Sequence, residues 1–277
     1  MQDDANAPDL VREAEVIAEG LKGAGIVARL LGATAIRMHA HQYVELHKAL
    51  GRELSDLDFA SYGQQREEIE RYFTKELNYQ MLNAAITPGL LVDRCIFFDE
   101  TGAKPRVDVF LDKLQMNHVI DFRNRLETYY PTVPVTELVL EKLQIVKINE
   151  KDIKDLIVLL LAHEIGESGS DTVDAKYIAK LLSKDWGFYY TVSSNLKKLE
   201  PMTNKYEVLK EELRREVLSK ARKLHEYVES EPKGARWKMR AKVGSSVSWY
   251  NEVEEVERAE WTKGLVLNAS KGEKERT

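Results

Sequence analysis

Only one cysteine, Cys95, occurs among the 277 residues. No disulfide can form within the chain, and that scarcity suits a reducing, cytoplasmic setting. Cys95 sits in the apolar run 95–98, where a thiol behaves as a small buried hydrophobe. No stretch of about 18 apolar residues occurs, so neither a transmembrane helix nor membrane association is expected. The opening MQDDANAPD is acidic and has no apolar signal core. An excess of positive charge is also missing. The 41 Lys and Arg face 46 Asp and Glu, a net charge of −5. The molecule as a whole is therefore no generic polyanion binder, and nucleic-acid contact needs a local basic patch. A His-Glu-x-x-His helix is absent too. His163-Glu164 opens HEIGE without the second histidine, which excludes the zinc-protease reading. His39 and His41, two apart on an expected helix, point to different faces and do not converge on a metal; with His47 they read as solvated or hydrogen-bonded histidines. No internal repeat is present.

What the chain does contain is enough length for one large domain or two small ones, organised around residues 30–59, LLGATAIRMHAHQYVELHKALGRELSDLDF. A mostly apolar strand, 27–31, leads into Gly32-Ala33. An expected helix carries Ile36, Met38, Tyr43, Val44 and Leu46, and a short strand then carries Asp56-Leu57-Asp58. Alternate side chains of a strand share a face. Asp56 and Asp58 therefore point one way, roughly 6–7 Å apart at Cα, while Leu57 and Phe59 point into a core. Two carboxylates so held can share a divalent cation such as Mg²⁺, which takes one or two carboxylates plus substrate phosphates. Residues 106–112, RVDVFLD, form a second strand. Val107, Val109 and Leu111 lie on one face; Asp108, Phe110 and Asp112 lie on the other. Placed beside the first strand, Asp108 completes a three-carboxylate metal site.

A Gly–small pair closing a strand, a helix, Asp-x-Asp on a strand and a third Asp on a later strand resemble the nucleotidyltransferase fold of the DNA polymerase beta superfamily. The likeness is best to the bacterial abortive-infection nucleotidyltransferase toxin family. It covers about the first half of the chain and extends more loosely to about residue 165. Ala33 departs from it, since the family usually has Gly-Gly or Gly-Ser there, and the interval from Gly32 to Asp56 is longer than in minimal members. The resemblance implies an α+β fold, a small mixed sheet flanked by helices and followed by a helical C-terminal region. It implies a Mg²⁺-dependent transfer of a nucleoside monophosphate from an NTP, ATP among them, to a hydroxyl of tRNA, other RNA or protein. The setting would be a toxin–antitoxin or phage-defence system with an antitoxin protein as partner. Asp56, Asp58 and Asp108 would hold the metal and act in catalysis. The backbone of Gly32, Ala33 and Thr34 would cradle phosphates. Lys142 and the KDIKD segment, with Asp152 and Asp155, match the family's Lys and Lys-Asp…Asp elements near the nucleotide. Arg37 and Arg52 read first as surface or ion-paired residues; Arg52, just before the Asp strand, is also placed as a cation for the triphosphate. No nucleophilic side chain is required, and none is evident. The alternative is a catalytically degenerate nucleotide- or RNA-binding module of the same fold. A third reading makes the three acids a structural pocket paired to Arg and Lys.

The remaining segments suggest three parts: a nucleotidyltransferase-like α/β core over 1–132, a helical domain over 133–200, and a long helix, basic segment and disordered tail over 201–277. Asp9 is placed as the cap of a first helix running to about Leu21. Residues 64–82 read as an amphipathic helix on Ile69, Tyr72, Phe73, Leu77 and Met81. After Pro88-Gly89, strand 91–98 and strand 106–112 form a hairpin around a polar turn at 99–105. From Thr136 two helices follow, broken near Asn149, with Asn149 or Asp152 as cap. Residues 173–182 form another helix, and Trp186, Phe188, Tyr189 and Tyr190 pack a small helical core. Residues 203–230 form a long charged helix. The segment 232–242 breaks it and carries Lys233, Arg236, Lys238, Arg240 and Lys242 around Trp237, the best local candidate for RNA contact. Glu252, Glu254, Glu255 and Glu257 follow it. Residues 1–8 and 268–277 are expected to be disordered.

Overall fold

The computed structural model describes residues 10–82, 93–169 and 171–253. The expectations for residues 1–9, Pro88-Gly89, the start of strand 91–98, Glu254, Glu255, Glu257 and 268–277 lie outside the described residues. The chain opens with α1 (Leu10–Gly23), β1 (Ala28–Leu31), α2 (Gly32–His39), α3 (Val44–Ala49), β2 (Asp56–Ser61) and α4 (Arg66–Arg71). The strands β3 (Gln80–Met81), β4 (Arg94–Phe98), β5 (Arg106–Leu111), β6 (Lys113–Gln115) and β7 (Val119–Asp121) follow. Next come α5 (Val135–Leu143), α6 (Glu150–Ala162), β8 (Glu164–Gly166), β9 (Thr172–Asp174) and α7 (Ala175–Leu182). The chain then continues through α8 (Trp186–Thr203), α9 (Glu211–Ser230) and α10 (Ala235–Val243).

This is an α+β fold. Its five-stranded sheet has the order β1-β2-β5-β4-β3. Every neighbouring pair is antiparallel except β2 and β5, which run parallel. A parallel pair needs a crossover, and residues 62–105 supply it. The expected hairpin is present as β4 and β5, with Cys95 opposite Val109 and Ile96 opposite Asp108. Leu57 and Phe59 are fully buried beneath β2 while Asp56 and Asp58 occupy its other face half-buried, as strand alternation requires. Cys95 is buried, and burial pushes its thiol up to about 11.

Several element boundaries differ from the periodicity reading. The helix expected from Gly32 through Leu46 stops at Ala40, whose φ −103 and ψ 37 are not helical, and resumes after a 3₁₀ turn as α3. The helix expected over 64–82 ends in a π turn at Tyr72–Glu76. Asn78 then adopts φ 53, and Gln80 and Met81 pair with Phe98 and Phe97. Sheet pairing takes those two residues out of the helical pattern. Asp112 leaves the strand pattern at φ 63, turning its carboxylate onto the Gly63 N–H at 3.2 Å. Residues 172–174 pair with β8, and the Asp174 side chain accepts from Tyr177 N–H to start α7 two residues later than expected. The helix expected over 203–230 is α9 alone. Thr203 instead ends α8, which runs through Pro201 and so across the 200/201 division. The segment expected to be a break after α9 folds as α10.

Elsewhere the caps are as the residues suggest. Asn149 accepts from the Lys151 and Asp152 N–H groups at 2.8 and 3.3 Å, and Asp152 accepts from Asn149 N–H, a reciprocal capping box. One continuous apolar core runs from Ala14 in α1 to Val228 in α9, so sheet and helices share it. In α9 the buried stripe is Val217, Ala221, Leu224 and Val228. Trp186 and Phe188 are buried, and Trp186 stacks on Tyr190. Among the described residues no helix is long and apolar enough to cross a membrane.

Candidate active site

The site is built where β1 runs without a linker into α2. Gly32 opens the helix at φ 71, a conformation that favours glycine. Space demands glycine as well: a Cβ there would fall 2.4 Å from Asp58 Oδ2 and 3.3 Å from Asp58 Cβ. The first-turn N–H groups of a helix have no intrahelical acceptor, so the N-terminus of α2 faces the acids with its donors. The Gly32 N–H donates to Glu141 Oε2 at 3.0 Å. The Thr34 hydroxyl is buried and donates to the Asp56 carbonyl at 3.4 Å, tying α2 to β2. Ala33 is half-buried and brings no polar side chain.

The parallel register sets Asp58 opposite Asp108, so both carboxylates lie on one face of the sheet. Asp56, Asp58, Asp108 and Glu141 crowd together. Burial, and then the charges of Asp56, Asp108 and Glu141, push the Asp58 carboxyl well above the usual carboxylate range, with Arg94 opposing. Asp108 is buried and already engaged. Its Oδ1 accepts from Arg106 Nε at 3.0 Å, and its Oδ2 accepts from Arg106 Nη2 at 2.7 Å and from Arg94. The Arg94 guanidinium also lies over the Phe110 ring, 4.6 Å from its centroid. The Asp56–Asp58–Asp108 trio is not among the described groups of three whose donor atoms all lie within 4.8 Å of one another. Two carboxylates from β2, with Asp108 held by arginines beside them, is the arrangement present.

The other predicted residues meet one turn of chain away. Arg52 forks onto Asp155, Nε to Oδ1 at 2.9 Å and Nη2 to Oδ2 at 3.1 Å. His47 Nε2 bonds the same Oδ1 at 2.9 Å. Lys142 Nζ lies 3.3 Å from Asp155, 3.0 Å from Glu141 and 3.8 Å from Asp152. Against a desolvation that would raise it, Lys142, His47 and Arg52 hold the Asp155 carboxyl well below its usual range. Lys142 is pushed up despite burial by Glu141, Asp155 and Asp152. Glu141 joins the halves, with one oxygen on the Gly32 N–H and the other on Lys142. The structure thus brings Gly32, Asp56, Asp58 and Asp108 together, and separately Arg52, Lys142 and Asp155.

Sequence reasoning missed Glu141, Arg94 and Arg106; His47, read as solvated or hydrogen-bonded, is hydrogen-bonded to Asp155. Glu141 precedes Lys142, and its helix periodicity gave no sign that it turns to Gly32. The basic segment resolves into two kinds of residue. Lys233 donates to the Val228 and Glu229 carbonyls, and Arg240 to those of Gly244, Val247 and Ser248. Trp237 Nε1 donates to Leu182 O at 3.1 Å, so the indole is a packing group. Arg236, Lys238 and Lys242 are exposed on α10.

No family model matches the chain, and no curated protein matches it. Among solved structures it is similar to an antigenic nucleotidyltransferase-like protein from Paracoccidioides brasiliensis, at 11% identity and a TM-score of 0.35, over 68% of this chain and 94% of that one. A likeness at that score is too distant to carry fold or function across.

Proposed function

We propose that the chain is a metal-dependent nucleotidyltransferase of the DNA polymerase beta superfamily type. One observation supports it above the others. The Asp58 carboxylate rests against Gly32 at the donor end of α2, with Asp56 on the same strand face and Asp108 in parallel register beside it. Helix-end N–H donors beside carboxylates support this reading, because they are the two kinds of group that a metal-bound triphosphate would need. The donor set fits Mg²⁺, a hard cation that prefers a few carboxylates and phosphate oxygens. Asp56 and Asp58 would hold it, with Asp108 as the adjoining carboxylate. Held by Asp56 and Asp58, such a cation would supply charge neutralisation for the phosphates during in-line displacement.

The protein's own part is positioning. Gly32 lets the backbone approach the phosphates, and the N–H groups of Ala33 and Thr34, with that of Gly32 once Glu141 releases it, would donate to the phosphate oxygens. Asp108 keeps Arg94 and Arg106 beside the reacting phosphates. Asp155 holds Lys142 and Arg52 as fixed cations behind the site. The acceptor hydroxyl oxygen bonds to the α-phosphorus, the bond to the bridging oxygen breaks, pyrophosphate leaves with that electron pair, and the hydroxyl proton leaves by way of the carboxylate cluster. The resemblance in sequence favours tRNA, other RNA or protein as acceptor, and an antitoxin as partner in a toxin–antitoxin or phage-defence setting.

The test is label transfer from each labelled NTP in Mg²⁺, with tRNA or cell lysate as acceptor, beside Asp56→Ala/Asp58→Ala. Label on an acceptor only with intact acids is expected. Label that persists in the double variant overturns the assignment. No transfer, together with metal-independent nucleotide binding, favours the alternative of a degenerate binding module. The tight pairing of Asp108 by two arginines is the observation that keeps that second reading in view.

A further inference from the structure

The opposite end of α2 carries a different cluster. His39 is the last residue of that helix, about 10 Å from Gly32 at 1.5 Å per residue. It stacks on Tyr129 with ring centroids 5.0 Å apart and meets the edge of His163 at 5.4 Å. His163 follows α6, and Asp171 precedes β9. One donor atom from each of His39, His163 and Asp171 lies within 4.8 Å of the others. Both imidazoles are buried, and Asp171 is exposed.

The hydrogen bonds fix the tautomer of His39. The Thr132 hydroxyl donates to Val133 O at 2.9 Å, so its oxygen accepts from His39 Nε2–H at 2.7 Å, and Val133 O lies 3.2 Å from the same nitrogen. His39 therefore keeps its lone pair on Nδ1. A metal-binding histidine typically donates its other N–H to a carbonyl or carboxylate, as His39 does toward Val133 O. His163 Nδ1 lies 3.1 Å from the Asp171 carbonyl and 2.8 Å from its carboxylate, so Nδ1 is the His163 nitrogen that meets Asp171. His163 Nε2 is buried without a hydrogen-bond partner.

We propose that His39, His163 and Asp171 form a binding site for a borderline divalent transition metal of the zinc class, which would pin the end of α2 to the junction of α6 and β8. Two imidazoles and one carboxylate suit zinc and its neighbours, not magnesium. Tetrahedral zinc at about 2.0–2.1 Å per bond sets donors roughly 3.4 Å apart, a spacing that the exposed Asp171 carboxylate, now 2.8 Å from His163 Nδ1, reaches by a small shift against the two buried rings. Solvent completes the coordination.

The experiment measures Co²⁺ and Zn²⁺ binding to the full chain by cobalt absorption and by metal content after dialysis. His163→Ala, Asp171→Asn and Asp56→Ala/Asp58→Ala are measured alongside. The expected result is one equivalent of tightly held metal in the wild type and in the Asp56/Asp58 variant. Affinity should fall roughly 10–100-fold in Asp171→Asn and further in His163→Ala. Asp171 is exposed, so its variant keeps the fold and the result stays interpretable if His163→Ala does not. Absence of a bound equivalent in the wild type, or equal binding in all variants, overturns the proposal. Loss only in the Asp56/Asp58 variant overturns it too, by assigning the metal to the sheet carboxylates.

Discussion

Replacing Gly32 with alanine separates two demands that coincide at that residue. The first is conformational. At φ 71 an L-residue costs about 1–2 kcal/mol. The second is contact: the new Cβ would stand 2.4 Å from Asp58 Oδ2. Rotating the carboxylate relieves the Oδ2 contact at the expense of its position in the site, and leaves Asp58 Cβ, held by β2, in a tight contact at 3.3 Å. Gly25→Ala is the control, since Gly25 has φ 76 and nothing within 4 Å of its would-be Cβ. Gly25→Ala should lose about 1–2 kcal/mol, or roughly 2–6 °C of Tm at this size. Gly32→Ala should lose more, by a further 1–3 kcal/mol typical of overpacking, and should cut nucleotidyl transfer by roughly 100-fold, as expected when reacting groups shift by about 1 Å. Calorimetry and the label-transfer assay read the two effects. Equal Tm losses with transfer intact in Gly32→Ala would refute both the packing argument and the role of α2 in the site.

Asp155→Ala should cost about 3–5 kcal/mol in urea unfolding, because it leaves Arg52, Lys142 and His47 without their shared acceptor. The Asp155 carboxyl lies below its unfolded value of about 3.9. Its contribution is therefore present above about pH 4 and is lost as pH falls, a loss the variant should lack. His118 is buried against Phe188 and bonds Thr191 at 2.8 Å, and burial lowers its pKa to about 4. The unfolded state thus binds more protons between pH 6.5 and 4, and stability drops on acidification. In His118→Gln, roughly 2 kcal/mol of the drop between pH 6.5 and 5 should disappear, and an unchanged pH slope would contradict it. Changing Arg236, Lys238 and Lys242 to Glu should weaken tRNA binding measured by anisotropy and lower the slope of log affinity against log salt by roughly 2–3; an unaltered slope removes α10 from any RNA interface.

The residues read most easily from sequence were those whose roles are local. Strand alternation places Asp56 and Asp58 on one face, the RVDVFLD run places Asp108, and Asn149 caps α6. Period-3.6 reading fails where a distant strand competes. Gln80 and Met81 fit a helical stripe, but their backbone pairs with Phe98 and Phe97. It also fails at Ala40, which ends α2, and across residues 204–210, between α8 and α9, where no proline or glycine marks the break. Partners far along the chain were not legible at all. Glu141 is 109 residues from Gly32, Arg52 is 103 residues from Asp155, and His39 meets His163 rather than His41. Arg52 is ion-paired, as its first reading had it. Nothing local shows that the partner is a buried carboxylate on α6, which takes its Nε and Nη2 while Nη1 turns to the Glu53 carbonyl.

Glu141 makes one electrostatic unit of what the sequence presents as two. The carboxylates of Asp56, Asp58, Asp108, Glu141, Asp152 and Asp155 meet the cations Arg52, Arg94, Arg106 and Lys142. Acids outnumber bases, and the imbalance sits at the Gly32 end, where Asp56 and Asp58 form no ion pair among the described residues and Arg94, engaged by Asp108, only partly offsets their charge. A free triphosphate approaching α2 meets that surplus and must also displace Glu141 from the Gly32 N–H. Repulsion between unpaired like charges at short range in a partly desolvated site is several times stronger than in water. In the nucleotidyltransferase reading a divalent cation would offset that repulsion, because the acids attract the metal while the metal lowers the net negative charge of the nucleotide. In the nucleotidyltransferase reading, metal dependence is then already present at the binding step, before any chemistry. The Glu141–Lys142 pair supplies the movable part, since Lys142 keeps Asp155 and Asp152 as partners when Glu141 releases the helix N-terminus to a phosphate.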